Sequence, residues 1–307
     1  MMNAIEVENI TKSYGKGKIK ALRGISFNVK QGELFGIIGP DGAGKTTLFR
    51  LLTTLLLPDS GSATVDGLDV VKDYKAIRQQ VGYMPGRFSL YQDLSVEENL
   101  DFFATVFQTT VKENYHLIED IYKQIEPFKT RKAGALSGGM KQKLALCCAL
   151  VHKPNVLFLD EPTTGVDPVS RKEFWEMLKR LKMQGITILV STPYMDEATL
   201  CDRIALIQHG QLLQIDTPQQ IINGYGQLLW AVHAKNMYRL LNDLRQHPQI
   251  TSCFGFGDVH HITMKEDADK DKLLVDLAER GHEEVEMHPI EATIEDCYMK
   301  LAVSKNE

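Results

Sequence analysis

The fold of this chain is decided by one glycine-rich stretch, Gly39-Pro40-Asp41-Gly42-Ala43-Gly44-Lys45-Thr46-Thr47. The apolar run Leu34–Ile38 before it predicts a buried strand, and residues 48–57 after it predict a helix. Glycines let the backbone wrap closely around phosphate oxygens, with successive N–H groups pointing inward. The Lys45 ammonium can reach the β- and γ-phosphates of a nucleotide, and the Thr46 hydroxyl can bind Mg²⁺. The stretch therefore predicts a phosphate-binding loop between a strand and a helix.

A second apolar strand pattern ends in two neighbouring acids. Residues 156–159 are apolar, and Asp160 and Glu161 follow them directly. After a phosphate-binding loop, the first such acid typically holds Mg²⁺, directly or through water, and the second positions the attacking water. We therefore expect Asp160 to bind the metal together with Thr46. Glu161 is expected to act as the general base, a role worth roughly 10²–10⁴-fold in rate.

A second glycine-rich turn lies far downstream of the first and opens a helix rich in Leu and Ala. It reads Leu136-Ser137-Gly138-Gly139-Met140-Lys141-Gln142. A helix N-terminus supplies backbone N–H groups and a positive dipole end, both of which suit phosphate. The distance along the chain between the two phosphate-binding elements indicates two half-sites, which two copies complete by facing head to tail.

With these elements together, the chain resembles the nucleotide-binding subunit of an ABC transporter over about residues 3–225. The resemblance implies an α/β P-loop NTPase fold with a helical signature lobe at about residues 83–150. It implies ATP and Mg²⁺ as ligands, with Tyr14 stacked on the adenine ring, since a flat aromatic ring suits that task. It also implies that Asp167, in the loop Gly165-Val166-Asp167, contacts a second nucleotide-binding subunit across a dimer.

The same resemblance implies that a separate transmembrane permease is the partner, and that it docks on the connection that carries Phe88, Tyr91 and Leu94. It places the chain in the cytoplasm, peripheral on the inner face of the cell membrane. ATP hydrolysis by this chain would then power transport through the permease. Two other classes of function stay open: a module in which ATP locks a dimer and hydrolysis is slow, and a soluble ABC protein without a transport role.

Three positions depart from the family pattern. Asp41 stands where the family usually has Asn, Gly86 where it has a Gln that contacts Mg²⁺ or water, and Pro193 where it has a His that donates to the γ-phosphate. Glycine has no side chain, and proline can donate no hydrogen bond. Losing one such donor typically costs about 10²–10³ in rate. The site could therefore be a slow half of a heterodimer, or Glu161 could suffice alone, or a neighbour such as Gln92 could compensate.

Helix and strand signals organise the rest of the chain. Ser95 and Glu98 have the spacing of a capping box, and so do Ser170 and Glu173, while Gly185 is placed to end the second of these helices. After residue 225 the pattern changes. Residues 228–234, 236–247, 251–256, 259–264, 269–280 and 285–289 predict the order βαββαβ, which indicates a small α+β accessory domain over residues 226–307.

The end of that domain resembles the C-terminal element of ABC subunits that pair with exporters, in residues 293–298, which favours export over import. His260 and His261 are neighbours, but adjacent strand residues face opposite sides of a sheet, so we do not expect a metal site there.

Composition limits the classes of function. The chain has 307 residues and a formal net charge of −5, and no window collects Lys and Arg into a stripe, which argues against a nucleic-acid partner. The 5 cysteines show no CxxC spacing and are expected to be reduced core residues. No apolar run approaches the roughly 20 residues that span a bilayer, and no signal sequence is evident. Any path through a membrane is therefore expected to belong to another chain.

Overall fold

A computed structural model describes residues 2–15 and 17–304 of the chain. The backbone contacts divide it into two compact units, Met1–Pro218 and Gln219–Glu307. The strands of the first unit are β1 (Asn3–Tyr14), β2 (Ile19–Lys30), β3 (Leu34–Ile38), β4 (Ser60–Val65), β5 (Leu68–Asp69), β6 (Val81–Met84), β7 (Val156–Asp160), β8 (Thr187–Thr192), β9 (Arg203–Gln208) and β10 (Gln211–Asp216). Its helices are α1 (Lys45–Leu52), α2 (Tyr74–Gln80), α3 (Val96–Val106), α4 (Tyr115–Tyr122), α5 (Gly138–Leu150) and α6 (Pro168–Met183), with short 3₁₀ turns at Glu126–Phe128, Ala133–Ala135 and Asp196–Leu200.

The central sheet of the first unit has the order β10-β9-β3-β8-β7-β6, in which all neighbours but β9 and β10 run parallel. Every residue of β3 and β7 is buried, as expected for strands covered on both faces. The register pairs Ile38 with Thr192, Asp160 with Ser191, and Met84 with Leu159. The carboxyl ends of four parallel strands therefore meet at one edge of the sheet, which is where α/β folds bind ligands.

An antiparallel sheet with the order β2-β1-β4-β5 forms the other β layer of this unit. Its apolar side chains share one core with α1 and the central sheet; Phe27 stacks on Phe35 at 5.6 Å between ring centroids, and Phe49 of α1 packs edge-on against Phe158 at 6.2 Å. Full burial of an aliphatic or aromatic side chain contributes roughly 1.5–3 kcal/mol. This packing fixes the strand ends, and with them the loops that leave the carboxyl edge.

The lobe between β6 and β7 is helical, as predicted. The capping box at the start of α3 is confirmed: the Ser95 hydroxyl accepts from the Glu98 amide at 3.1 Å, and the Glu98 carboxylate accepts from the Ser95 amide at 2.7 Å. Ser137 caps α5 by accepting from the Met140 amide at 3.3 Å. Residues 138–142 therefore lie in the first turns of α5.

The second unit contains α7 (Pro218–Asn223, whose first residue closes the first unit), β11 (Leu229–His233), α8 (Met237–Gln246), β12 (Ile250–Phe256), β13 (Val259–Met264), α9 (Lys270–Glu279), β14 (Glu286–Ile290) and α10 (Ile294–Ser304). Its strands form an antiparallel sheet with the order β12-β13-β11-β14, so the predicted βαββαβ order is confirmed. His260 Nε2 contacts the Met237 carbonyl at 2.7 Å, whereas His261 Nδ1 contacts Asp296 at 2.7 Å, so the two rings have separate partners.

Two predicted helix boundaries were wrong. We expected a capping box at Ser170 and Glu173, but α6 begins earlier, because the Asp167 carboxylate accepts from the Ser170 amide at 3.0 Å and Pro168 occupies the first helical position, which suits proline. Gly185 does follow the end of this helix, with φ of 90°. The helix predicted over residues 48–57 starts at Lys45 and ends at Leu52. Two residues later, Thr54 has a φ of 63°, which a helix does not allow.

The five cysteines are buried and free, as predicted. Burial raises the pKa of Cys253 and Cys297 to about 11, and raises that of Cys147, Cys148 and Cys201 still further. Such thiols stay protonated and unreactive at neutral pH. Among the helices in residues 2–15 and 17–304, none is both long enough and apolar enough to cross a membrane.

Candidate functional site

The glycine-rich loop leaves β3 at the carboxyl edge and is held by its own backbone. The Gly39 amide donates to the Thr192 carbonyl at 3.3 Å, and the Ala43 amide donates to the Pro40 carbonyl at 3.2 Å. A side chain at Gly39 would place its Cβ 2.2 Å from the Ile207 carbonyl oxygen, so only glycine fits against β9. Gly44 precedes α1 with φ of 109°, another conformation that favours glycine. The loop therefore passes directly to a helix N-terminus, as predicted.

Lys45 lies at the start of α1 and is only 2% exposed. Its ammonium donates to the carbonyl oxygens of Gly39 at 2.7 Å and Pro40 at 3.0 Å, and it forms an ion pair with the Glu161 carboxylate at 3.0 Å. A buried ammonium is costly unless its charge and its donors are matched. The structure thus brings the predicted phosphate-binding cation and the predicted general base into direct contact, a pairing that the sequence did not indicate.

The two acids follow β7 as predicted, and a serine from the neighbouring strand holds both of them. The Ser191 hydroxyl donates to Asp160 Oδ1 at 2.7 Å and accepts from the Glu161 amide at 3.0 Å. Burial raises the pKa of Asp160, and hydrogen bonds from Ser191 and Thr46 act in the opposite direction. Glu161 itself has a φ of 51°, in the left-handed region that a glutamate rarely adopts. Sequence reasoning missed the role of Ser191; the available signal was only that this serine directly follows the apolar strand pattern of residues 186–190.

An open cavity of about 510 Å³ lies against the glycine-rich loop. The cavity is lined by Tyr14, by Glu161, and by residues of the loop and of the start of α1, namely Gly42, Gly44, Lys45, Thr46 and Thr47. The Tyr14 hydroxyl lies 3.3 Å from the Thr47 hydroxyl, which keeps the ring beside the loop. Asp41 is exposed to solvent at the loop surface. Six of the ten predicted nucleotide-binding residues, from β1, the loop and α1, therefore line one cavity together with Glu161, whereas Gly39, Pro40, Asp41 and Ala43 are not part of its lining.

Three of the seven signature residues line a different cavity, of about 180 Å³. Gly138, Lys141 and Gln142 of α5 face it, together with Gly86 and Glu161. Gly139 approaches α6 so closely that a Cβ there would lie 2.8 Å from the Ser170 hydroxyl oxygen. Glu161 lines both cavities, so this residue belongs to the surroundings of the glycine-rich loop and of the signature helix. Leu136 is buried just before the helix, and Met140 lies in its first turn.

The segment around Pro193 is fixed by a buried carboxylate. Glu197 is 2% exposed and accepts from the hydroxyls of Thr163 at 2.8 Å and Thr192 at 2.5 Å. The Arg171 guanidinium lies 3.7 Å from that carboxylate and stacks over the Tyr194 ring at 4.1 Å. These contacts tie the loop after β7 and helix α6 to both sides of Pro193.

Asp167 is exposed and serves as the cap of α6. Its carboxylate accepts the Ser170 amide, and this hydrogen bond lowers the pKa of Asp167. A cap of this kind pairs an amide that the first turn of the helix cannot pair itself. Asp167 thus stabilises the start of α6 within its own subunit.

Comparisons with known proteins give one family. The ABC transporter family pattern matches residues 22–164. A probable multidrug ABC transporter ATP-binding protein of Escherichia coli, YbhF, is 39% identical over 286 residues, which cover 92% of this chain but 49% of that protein. The chain therefore spans about half the length of this relative. The doxorubicin resistance ATP-binding protein DrrA of Mycobacterium tuberculosis is 35% identical over 272 residues, which cover 87% of this chain and 80% of that protein.

Solved structures agree with these relatives. The cbiO1 structure from Clostridium perfringens, described as part of the ABC transporter complex cbiONQ, covers 73% of this chain and 92% of its own, with 29% identity and a TM-score of 0.65. A dimeric post-hydrolysis state of the ATP-binding cassette MJ0796, bound to ADP and phosphate, covers 69% of this chain and 98% of its own, with 27% identity and a TM-score of 0.62. The fold, the site geometry and these similarities together show that the chain belongs to the family of ABC transporter ATP-binding proteins.

Proposed function

We propose that this chain is the ATP-hydrolysing subunit of an ABC exporter, which powers a separate transmembrane permease from the cytoplasmic face of the membrane. Relatives named for multidrug transport and doxorubicin resistance support export. The observation that carries the proposal is the division of the site: the glycine-rich loop and the signature helix line different cavities, and Glu161 lines both. One chain therefore supplies two halves of different sites, and a second nucleotide-binding subunit completes each of them.

The residues of the first cavity fit a magnesium nucleotide. The Thr46 hydroxyl lies close enough to the Asp160 carboxylate to lower the pKa of Asp160, so two oxygen ligands of the kind that Mg²⁺ prefers already lie together. Bound Mg²⁺ would neutralise charge on the β- and γ-phosphates. The amides of residues 42–46 and Lys45 would hold the phosphates, and Tyr14 would stack on the adenine.

Hydrolysis requires the Glu161 carboxylate to accept a proton from water. In the structure that carboxylate is paired with Lys45 at 3.0 Å. When Lys45 turns to phosphate oxygens, the carboxylate loses its counter-charge and becomes available as a base. Closure of two copies, with Asp167 in the contact between them, brings the signature residues Ser137, Gly138 and Gly139 of the second copy to the γ-phosphate.

The test is steady-state ATP hydrolysis by the purified full chain with Mg²⁺. We expect measurable turnover in the wild-type protein and a loss of roughly 10²–10⁴-fold in Glu161→Gln, with ATP binding retained. Glu176→Gln, the same chemical change at an exposed position of α6, is the matched control and should keep full activity. Turnover that survives in Glu161→Gln would refute the assignment of the base.

A second function is favoured by Gly86 and Pro193, which offer no side-chain donor where the family usually has Gln and His. In that case ATP locks a dimer and hydrolysis takes place at a partner's site. Negligible turnover with intact ATP binding, partly restored by Pro193→His, would support this module. Robust turnover by the chain alone would exclude it.

A further inference from the structure

A third cavity, of about 540 Å³, lies in the helical lobe. Its lining shares no residue with the cavity beside Tyr14 or with the cavity beside Gly86. Glu97, Leu100 and Asp101 reach it from α3, since residues three and four apart share one face of a helix. Its volume falls within the range of about 300–1,000 Å³ that is typical of small-molecule sites.

Helix α4 gives this cavity two aromatic rings. Tyr115 and Tyr122 both line it, with their ring centroids 6.1 Å apart and their planes at 82° to each other. The face of such a ring attracts a cation that lies within about 6 Å of its centroid, and groups of aromatic rings recognise organic ammonium ions in this way. Leu100 and Val111 add aliphatic surface to the same lining.

The Tyr122 hydroxyl is an unpaired polar group at this cavity. The side chain is only 7% exposed, and its hydroxyl has no hydrogen-bond partner among residues 2–15 and 17–304. The oxygen is nevertheless not sealed off from solvent. Burial raises the pKa of Tyr122 to about 12, and the charges of Glu97 and Glu126, which both line the cavity, act in the same direction. The hydroxyl therefore lies on the side of these two carboxylates, where it can accept a hydrogen bond from a ligand.

Carboxylates outnumber ammonium groups around the cavity. The lining has the three acids Glu97, Asp101 and Glu126 and the two lysines Lys112 and Lys129, so its formal charge is −1. Lys129 lies 3.6 Å from Glu97, but both side chains are half exposed, and pairs of this kind are weak. Within the described part of the chain, Asp101 and Glu126 form no ion pair. One monovalent cation would balance this charge.

We propose that this cavity binds a protonated organic amine, whose N–H groups donate to the Tyr122 hydroxyl and to the carboxylates of Asp101 and Glu126 while its apolar body lies against Tyr115. A metal ion is not the ligand that these groups suit, because the described residues contain no set of three or more His, Cys, Asp or Glu side chains that could hold one. The site is separate from the nucleotide site and does not depend on ATP hydrolysis.

The test is a ligand-observed NMR titration of the full chain with phenethylamine, which carries an ammonium group on an aromatic body at neutral pH. We expect a Kd of about 1 mM, which is typical of a fragment of this size. Phenethyl alcohol has the same shape without the charge and should bind at least about tenfold more weakly. Equal affinity for the two compounds, or no binding of the amine up to about 20 mM, would overturn the inference.

Two variants locate the bound amine. Tyr122→Phe keeps the ring and removes only the hydroxyl, so Kd should rise about tenfold, whereas Tyr91→Phe, the same change at an exposed ring, should leave Kd unchanged. Glu126→Gln should raise Kd about threefold, the effect of one exposed charge. Its matched control is Glu119→Gln on α4, outside the lining, which should bind as the wild-type chain does. Unchanged affinity in both Tyr122→Phe and Glu126→Gln, or equal weakening in the controls, would show that the amine binds elsewhere and would refute the site.

Discussion

Replacing Ser191 by alanine removes a side chain that bonds to both residues of the acid pair. Ser191 is fully buried at the end of β8. Its hydroxyl donates to Asp160 at 2.7 Å and accepts from the Glu161 amide at 3.0 Å. The Glu161 amide also donates to the Ser191 carbonyl oxygen at 3.1 Å, and this second bond survives the substitution. The variant therefore loses one charged hydrogen bond completely and one neutral bond in part.

The expected magnitude follows from these contacts. A hydrogen bond to a charged group contributes about 1.5–3 kcal/mol and a neutral one about 0.5–1.5 kcal/mol. Because the Ser191 carbonyl oxygen still accepts from the Glu161 amide, about half of the neutral bond's contribution is retained. We therefore expect the free energy of unfolding of the first unit to fall by about 2–4 kcal/mol. We also expect kcat to fall at least about tenfold, since small displacements of catalytic groups have effects of this size.

Urea unfolding followed by circular dichroism, together with the steady-state ATPase rate, measures both quantities. Ser62→Ala, at an exposed position of β4, is the matched control and should lose less than about 0.5 kcal/mol. Ser191→Thr keeps a hydroxyl and should retain most of the activity. If Ser191→Ala unfolds at the same urea concentration as Ser62→Ala and keeps its kcat, the role assigned to this hydroxyl is wrong.

Three further predictions concern the loop, the lobe and the Pro193 segment. Gly39→Ala places a Cβ 2.2 Å from the Ile207 carbonyl oxygen, so ATP affinity should fall at least about tenfold in a fluorescent-nucleotide titration, whereas Gly255→Ala, with its nearest contact at 3.5 Å, should leave it unchanged. Burial lowers the pKa of His152 from 6.5 to about 4, so the unfolded chain binds the proton more tightly. The free energy of unfolding should therefore fall by roughly 2–3 kcal/mol as the pH drops from 6.5 to 4, and His152→Phe should remove that part of the pH dependence in urea titrations. Glu197→Ala leaves Arg171 without its buried carboxylate and removes the acceptor of two threonine hydroxyls, so it should lower the free energy of unfolding by about 3 kcal/mol; a shift below about 1 kcal/mol would contradict this.

The local elements were predictable because their signals lie within a few residues of each other. The strand, glycine-rich loop and helix around Lys45, the acids at the end of β7 and the capping box at Ser95 each depend on short stretches. The βαββαβ order of the second unit followed from alternation and helix periodicity in the same way. These patterns needed no knowledge of which strands pair.

What could not be predicted depends on contacts between distant segments. The Lys45–Glu161 ion pair and the Ser191 hydrogen bonds exist because β3, β8 and β7 are neighbours, an order that the sequence does not state. The start of α6 was missed for a different reason. Asp167 and Ser170 are both good caps, and the position of Pro168 decides between them.

The five buried cysteines have a practical consequence. Because the thiols are shielded and their pKa values are raised, the native chain should need no cysteine removal before site-specific labelling. Val169, in the first turn of α6 beside Asp167, is 70% exposed, so Val169→Cys would provide a single reactive thiol. Spin labels at this position would report the distance between two copies, and a distance distribution that shortens with ATP would follow their closure directly in solution.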